Sequence, residues 1–385
     1  MKKITILGST GSIGTQALEV VARHSDELSV YALVANNSID LLCEQALTFR
    51  PQVVGIGNKA HEKELKKRLK GEGIEVVAGE EAIIQLAGSV EADMVLAAMV
   101  GFAGLAPTIS AIESGRTIAL ANKETLVVAG DLVKELCREH KAMLIPVDSE
   151  HSAIYQCLVG EPLKAVEKIY LTASGGPFVD TPKEALREVT PEQALAHPNW
   201  HMGAKVTIDS ASMMNKGLEM IEACHLFNVQ PSQIEVVVHR QSIVHSMVGY
   251  VDGSIKAQLS YPDMRYPIAY ALLFPNRKEG IRPLLSISEM SQLTFEAPRI
   301  DDFPCLGLAY EALERGGTVP CTMNAANEVA VERFLSGQIH FTDIPRIIKH
   351  TMDVAPERNA GSLSLLREAD SQARSIARAW YEGIK

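Results

Sequence analysis

Aromatic side chains are scarce in this chain, at 5% of 385 positions, so its core has to be built from Ala, Val, Ile and Leu. That bias leans toward α/β or helical architecture. Long apolar runs are missing too. The greasiest stretch, Met94 to Pro107, contains two glycines and is shorter than a membrane span, which excludes a spanning helix there. No secretory leader is expected, because after Lys2 and Lys3 the apolar run Ile4 to Leu7 ends at once in a glycine-rich turn. The six cysteines (Cys43, Cys137, Cys157, Cys224, Cys305 and Cys321) include no C-x-x-C pair. They make a poor disulfide framework and a poor zinc site, and fit a reducing, cytoplasmic compartment. Excess positive charge is lacking as well. The net charge of -10 argues against a nucleic-acid partner, since nothing would neutralise phosphates over a long footprint. A small anionic substrate stays open, because local cations or a metal overrule the global sign.

What is present is a soluble globular composition, 46% hydrophobic and 22% charged, at a length that predicts two or three domains. In the first 150 residues, strand-like runs at Ile4–Leu7, Val30–Val34, Val53–Ile56, Met94–Ala97, Thr117–Leu120 and Leu144–Val147 alternate with amphipathic segments at Thr15–Arg23, Asp40–Phe49, Glu62–Leu69 and Thr125–His140. This alternation predicts an α/β fold that begins with a Rossmann-type parallel sheet, its crevice at the carboxyl ends of the strands. Beyond it, strand-like runs at Ile169–Thr172, Glu235–His239, Ser246–Tyr250 and Ser254–Leu259 mix with loops, predicting a central α+β catalytic domain. Val179–Gly203 has little periodicity and is expected to be a long functional loop. Four helical patterns, Leu306–Arg315, Asn324–Leu335, Ile344–Met352 and Leu363–Tyr381, predict a C-terminal helical bundle. The expected boundaries are 1–148, 149–290, a linker at 291–305, and 306–385.

Two sets of residues carry chemistry. Gly8-Ser9-Thr10-Gly11-Ser12-Ile13-Gly14 directly follows the first strand and opens a helix. Glycines there allow a tight turn, and the helix N-terminus offers N–H groups to a pyrophosphate. The second strand ends in Asn36-Asn37-Ser38 with no acid to grip ribose hydroxyls. That favours NADPH over NADH, although the asparagines are equally suited to a plain turn. The second set is acidic. Asp148-Ser149-Glu150 ends a strand, and two carboxylates at i and i+2 can reach one hard cation, magnesium or manganese, with cobalt also admitted. Asp148 or Ser149 would serve equally to cap a helix. Further on, Asn215, Lys216, Glu219 and Glu222 share one helix face beside Ser210-Ala211-Ser212. This spacing fits either a phosphate and metal clamp or a surface ion pair. Ser174-Gly175-Gly176 could expose backbone N–H groups to an oxyanion, and Lys123 follows a strand at the crevice. His197-Pro198-Asn199-Trp200-His201-Met202-Gly203 holds one of two tryptophans in a loop, as a water-excluding lid or as a folded-down structural ring.

Taken in order, Gly8 to Gly14, Asn122-Lys123-Glu124, Val147-Asp148-Ser149-Glu150-His151, Ser174-Gly175-Gly176-Pro177-Phe178, His197-Pro198-Asn199-Trp200 and Asn215-Lys216-Gly217-Leu218-Glu219 make the chain resemble the 1-deoxy-D-xylulose 5-phosphate reductoisomerase family over essentially its full length. The resemblance implies NADPH- and divalent-metal-dependent rearrangement and reduction of that sugar phosphate to 2-C-methyl-D-erythritol 4-phosphate, in a homodimer. It implies Asp148, Glu150 and Glu219 as metal ligands, and Lys123, Glu150 and Glu219 as the catalytic set. Lys123, Ser149 and Glu150 would meet substrate near the metal, and Ser174, Ser210, Asn215 and Lys216 would hold its phosphate. His197 would also touch substrate, with Trp200 and Met202 in the lid. Gly8, Thr10, Gly11, Ser12, Ile13, Asn122, Glu124 and Gly203 would touch NADPH, with Asn36, Asn37 and Ser38. One departure stands out: the family often carries a basic triplet such as Gly-Lys-Asn where this chain has Asn36-Asn37-Ser38, which weakens the expected grip on the 2′-phosphate.

Two rival readings use the same glycine loop. A simple NADP-dependent dehydrogenase of the homoserine or semialdehyde type needs no three-carboxylate site. A non-catalytic NADP-binding redox regulator leaves Lys123, Glu150, Glu219 and Trp200 without a shared purpose.

Overall fold

A computed structural model of the chain describes residues 1–200, 202–280 and 282–381. His201 of the expected lid, and 382–385 at the end of the expected helical domain, lie outside the described residues. The chain packs as two compact units. The first is made of 1–125, 133–152 and 263–284, and the second of 126–132, 153–262 and the chain from Leu285 onward.

In the first unit, strands β1 (Lys2–Leu7), β2 (Leu28–Ala35), β3 (Val53–Ile56), β4 (Glu75–Ala78), β5 (Met94–Ala97), β6 (Thr117–Leu120) and β7 (Met143–Pro146) form one parallel sheet. Their order is β4-β3-β2-β1-β5-β6-β7. Helices α1 (Ser12–Arg23), α2 (Ile39–Phe49), α3 (Glu62–Arg68), α4 (Glu80–Ala87), α5 (Leu105–Glu113) and α6 (Glu124–His140) connect them, and α7 (Ser149–Leu158) follows β7. A sheet covered on both faces takes unbroken apolar strands, and Leu33, Val34, Leu96 and Ile118 are accordingly buried without alternation. All six expected strands of this region are present. Two kinds of element escaped the pattern. β4 is a half-buried strand at the sheet's edge, where Glu75 interrupts the apolar run from Ile74 to Ala78, and the eight-residue α4 was likewise not expected. α5 is buried nearly all round, so it shows no amphipathic stripe. The order reverses between β1 and β5, which opens a crevice at the strands' carboxyl ends. The glycine turn, Asn36, Asn122 and Asp148 all leave the sheet from those ends.

The second unit holds β8 (Val166–Ala173), β9 (Ile234–Val238), β10 (Val244–Tyr250) and β11 (Ile255–Leu259), ordered β11-β10-β8-β9. β8 and β9 pair parallel and the other neighbours antiparallel. Helices α8 (Pro191–Leu195), α9 (Ala204–Ala211) and α10 (Met214–Phe227) belong here. The expected loop Val179–Gly203 is therefore not structureless. It contains a 3-10 segment, Lys183–Glu188, and α8. A reciprocal cap closes α8: the Thr190 hydroxyl accepts from Gln193 N–H, and the Gln193 side chain accepts from Thr190 N–H. α11 (Arg265–Leu273) instead buries Ile268, Ala271 and Leu272 in the core of the first unit, where Lys2 Nζ donates to Leu272 O at 2.8 Å.

Helices α12 (Cys305–Arg315), α13 (Val319–Leu335), α14 (Asp343–Val354) and α15 (Leu363–Ala379) form the expected C-terminal bundle. α13 is buried along most of its length, and Phe334 and Phe178 both meet Phe341 edge-on. Gly217 lets α10 lie against α12, since a Cβ there would sit 2.6 Å from that of Ala309. Among the described residues, no helix is long and apolar enough to cross a membrane.

Burial on β10 pushes the His245 imidazole down to about 4, while its Nε2 shares a 2.9 Å hydrogen bond with Ser260 Oγ. An unfolded chain binds that proton near 6.5 and the folded one does not, so folding stability is lost as pH falls from above 6.5 through 4. Urea unfolding is expected to show wild type losing about 2–3 kcal/mol more than His245→Gln between pH 7.5 and 4.5. Equal losses in the two proteins would contradict the assignment.

Candidate active site

At the carboxyl edge of the parallel sheet, backbone geometry accounts for the glycine spacing. Gly8 adopts φ +90°, and a Cβ there would sit 2.6 Å from Ala98 O; one on Gly14 would sit 2.3 Å from Gly8 O. Gly8 and Ser9 N–H both donate to Val34 O, at 2.9 and 2.8 Å. The Gln45 amide, reaching from α2, donates to Ser9 O at 2.9 Å. The turn is thus fastened from below, while Gly11 and Ser12 stay exposed at the start of α1, which has no side-chain cap. Such a helix start is a ready anion cradle. Asn36, Asn37 and Ser38 are exposed at the end of β2. Asn58 holds them, its N–H donating to Asn36 O and its amide to Asn37 Oδ1, each at 3.0 Å. The turn role offered for these asparagines is therefore filled.

Asn122, just past β6, spends its side chain on structure. It donates to Gly101 O at 3.2 Å and Glu124 Oε2 at 3.0 Å, and accepts from Thr125 N–H at 3.1 Å. That fixes the start of α6 and aims Lys123, whose ammonium lies 2.7 Å from Asp148 Oδ2. Asp148 accepts from Ser149 N–H at 2.9 Å, and the Ser149 hydroxyl donates to Glu150 Oε2 at 2.5 Å. The fully buried His151 places Nδ1 3.8 Å from Asp148. Burial pushes the Asp148 carboxyl up, but the Lys123 ammonium and then His151 outweigh it and hold the group well below the ordinary carboxylate range. Asp148 is an ionised oxygen donor at neutral pH, so the donor set on this edge is hard and anionic, the chemistry a divalent magnesium-class ion takes.

In the second unit, the turn after β8 brings Ser174 to the end of α9. Gly175 and Gly176 adopt φ +89° and +70°, and a Cβ on Gly176 would sit 2.8 Å from Ser210 O. α9 stops at Ser212 and the chain turns through Met213 at φ 63°, a left-handed non-glycine residue, into α10. Ser210 therefore lies at the entry of the helix that carries Asn215 and Lys216. There Asn215 donates to Glu219 Oε1 at 2.5 Å and Lys216 pairs with Glu219 Oε2. Lys216 and Glu219 are buried, so this is not the surface pair the spacing also allowed. His197 shares a 2.9 Å hydrogen bond with Ser174 Oγ. Trp200 is half-buried, its ring 6.2 Å from that of His245 at 60°. Met202 is half-buried, and Gly203 is exposed where it precedes α9.

All six cysteines are free thiols, and burial pushes Cys137 and Cys157 up to about 11 and Cys305 up to about 12, away from the reactive thiolate.

A family model described as 1-deoxy-D-xylulose 5-phosphate reductoisomerase matches residues 4–130. Models of the C-terminal regions of the same enzyme match 144–227 and 259–376. A protein of that name from Bacteroides fragilis is 54% identical over 377 residues, 98% of this chain and 97% of its own length. The chain belongs to the 1-deoxy-D-xylulose 5-phosphate reductoisomerase family. A solved family structure from Zymomonas mobilis, in complex with NADPH, is 44% identical and superposes with a TM-score of 0.94 over 100% of both chains. A second, described as DOX-P reductoisomerase in complex with NADPH, fosmidomycin and magnesium, is 40% identical with a TM-score of 0.94 over 98% of each.

The sequence-derived residues divide between the two units. Gly8 through Ile13, Asn36–Ser38, Asn122–Glu124 and Asp148–Glu150 are on the parallel-sheet unit, and Ser174, His197, Trp200, Met202, Gly203, Ser210, Asn215, Lys216 and Glu219 on the other. Supporting residues went unread. Gln45 braces the glycine turn, and Asn327 Nδ2 donates at 2.8 Å to Asp209, whose other oxygen meets Lys205 at 2.8 Å. No local pattern links Asp209 to Asn327, so sequence reading had no signal for the pair. His151 had one, its i+3 spacing from Asp148 on α7.

Proposed function

We propose that this chain converts 1-deoxy-D-xylulose 5-phosphate to 2-C-methyl-D-erythritol 4-phosphate, using NADPH and a divalent cation, magnesium, manganese or cobalt. The observation that carries the reading is that one sheet edge bears both the glycine cradle and the ionised Asp148 beside Lys123. A simple dehydrogenase of the homoserine type needs the first and has no use for the second.

Gly8, Thr10, Gly11, Ser12 and Ile13 take the pyrophosphate of NADPH. Asn36, Asn37 and Ser38 face its adenosine ribose, and Asn122, Glu124 and Gly203 complete its contacts. Neutral amides and a hydroxyl tolerate a 2′-phosphate that an acid would repel. Asp148, Glu150 and Glu219 hold the cation. Bound together, the cation would supply Lewis acidity at the substrate's carbonyl and adjacent hydroxyl oxygens, and the nicotinamide a hydride.

The protein's own residues do the rest. Lys123 and Ser149 orient the reacting oxygens, and Lys123 offers its positive charge where the carbonyl oxygen gains negative charge. Ser174, Ser210, Asn215 and Lys216 grip the phosphate end, so binding energy remote from the reacting carbons fixes their orientation. Trp200 and Met202 cover the substrate and exclude water while a carbon–carbon bond breaks and re-forms. As functional modules, 1–148 binds cofactor and contributes Lys123 and Asp148, 149–290 is catalytic and connective with Glu150, Glu219 and the lid, 291–305 links, and 306–385 is the helical domain. Six free cysteines with no disulfide suit a reducing cytoplasm.

The chain works as a homodimer. β11 lies at the edge of its sheet with Ile255 and Leu259 exposed, an apolar edge that a soluble protein ordinarily covers.

Consumption of NADPH with the sugar phosphate is expected to require added magnesium. Glu219→Gln should lower turnover by more than about 100-fold while NADPH affinity stays within a few-fold; near-normal turnover at saturating metal would defeat the ligand assignment. Sedimentation at micromolar concentration should give a dimer for wild type and a monomer for the double variant Ile255→Lys, Leu259→Lys. A monomeric wild type would refute the dimer.

A further inference from the structure

The ring of His197 is committed on both sides. Its Nδ1 accepts from Asn199 N–H at 3.2 Å and from Trp200 N–H at 3.0 Å. A nitrogen that accepts two N–H groups carries no hydrogen, so the neutral ring is protonated on Nε2, which lies 2.9 Å from Ser174 Oγ. Nε2–H is therefore the donor and Ser174 Oγ the acceptor. The same oxygen accepts from Gly176 N–H at 3.3 Å. With both lone pairs taken, the Ser174 hydroxyl keeps only its hydrogen to offer, which makes it a donor suited to an anion.

The turn that carries the ring is itself anchored. Asn199 Nδ2 donates to Arg240 O at 2.7 Å and Ser242 Oγ at 3.1 Å. Those two acceptors sit on the β9–β10 connection. There His239 Nε2 accepts from Ile243 and Val244 N–H, and its Nδ1 donates to Thr294 O at 2.8 Å. A doubly protonated His197 could not accept from the Trp200 turn, and burial lowers its pKa accordingly.

We propose that His197 is a positioning residue that acts through Ser174: it fixes the Ser174 hydroxyl as a donor to the substrate phosphate while clasping the Trp200 turn, so that the anion and the lid are held by one ring. The inference rests on the phosphate reading of the Ser174 pocket. It differs from direct contact between His197 and substrate in what it demands of a double-mutant cycle.

The cycle uses the full chain, inorganic phosphate as the probe, and the variants Ser174→Ala, His197→Asn and their combination. Asn at 197 can still accept from the N–H groups two and three residues on, as an Asx turn does, but has no donor that reaches Ser174. His197→Asn is expected to weaken phosphate binding about 10-fold alone and less than about 2-fold when Ser174 is already Ala. His197→Gln, whose amide nitrogen can stand where Nε2 stood, should keep affinity within about 3-fold but shift Trp200 emission, because its acceptor no longer holds the turn. An equal loss from His197→Asn in both backgrounds would mean direct contact and overturn the proposal, as would undiminished affinity in His197→Asn. Failure of wild type to bind phosphate at all would overturn the phosphate reading, and this inference with it.

Discussion

The 2.7 Å ion pair between Lys123 and Asp148 sets the terms for the first unit. A carboxylate withdrawn from water tends to take up a proton and would then be useless to a cation. Here the lysine reverses the sign of that tendency. Asn122 spends its own amide and carbonyl at the start of α6, the helix that Lys123 precedes. In the second unit Lys216 pairs with Glu219, both buried on α10. A buried lysine beside a carboxylate stabilises the fold weakly at best. At Asp148 its effect is to keep the acid ionised.

Backbone shape supplies what side chains cannot. Gly8 and Gly14 are present because a Cβ at either would collide with the carbonyl oxygen of Ala98 or Gly8. Gly176 performs the same service against Ser210 O, and Gly217 against Ala309. The first two shape the turn that opens α1, and the third brings Ser174 and Ser210 to one corner. The fourth seats α10 on α12 of the C-terminal bundle.

The parallel sheet was legible because each strand buried on both faces is an unbroken apolar run, and because helices of ordinary amphipathicity lie between them. β4, α4 and α5 were not, β4 being half-exposed at an edge and broken by Glu75, α4 short, and α5 too evenly buried. The Val179–Gly203 stretch hid α8 behind a polar surface, although Thr190 and Gln193 form a cap that could have been read. Site residues were legible where they sat at strand ends with their motif neighbours, as Asp148 and Ser174 do. Gln45, Asn327 and the double use of His197 were not, since each depends on a partner brought near only by the fold.

We propose that Asp148, Glu150 and Glu219 serve one ion. Manganese titration of the purified chain, followed by electron paramagnetic resonance, tests it without recourse to turnover. The claim predicts one tight equivalent per chain, and affinity lost by at least about 100-fold in Asp148→Asn and in Glu219→Gln alike. Undisturbed manganese binding in Glu219→Gln, with loss confined to Asp148→Asn, would show that the parallel-sheet unit holds the ion by itself and would contradict the claim.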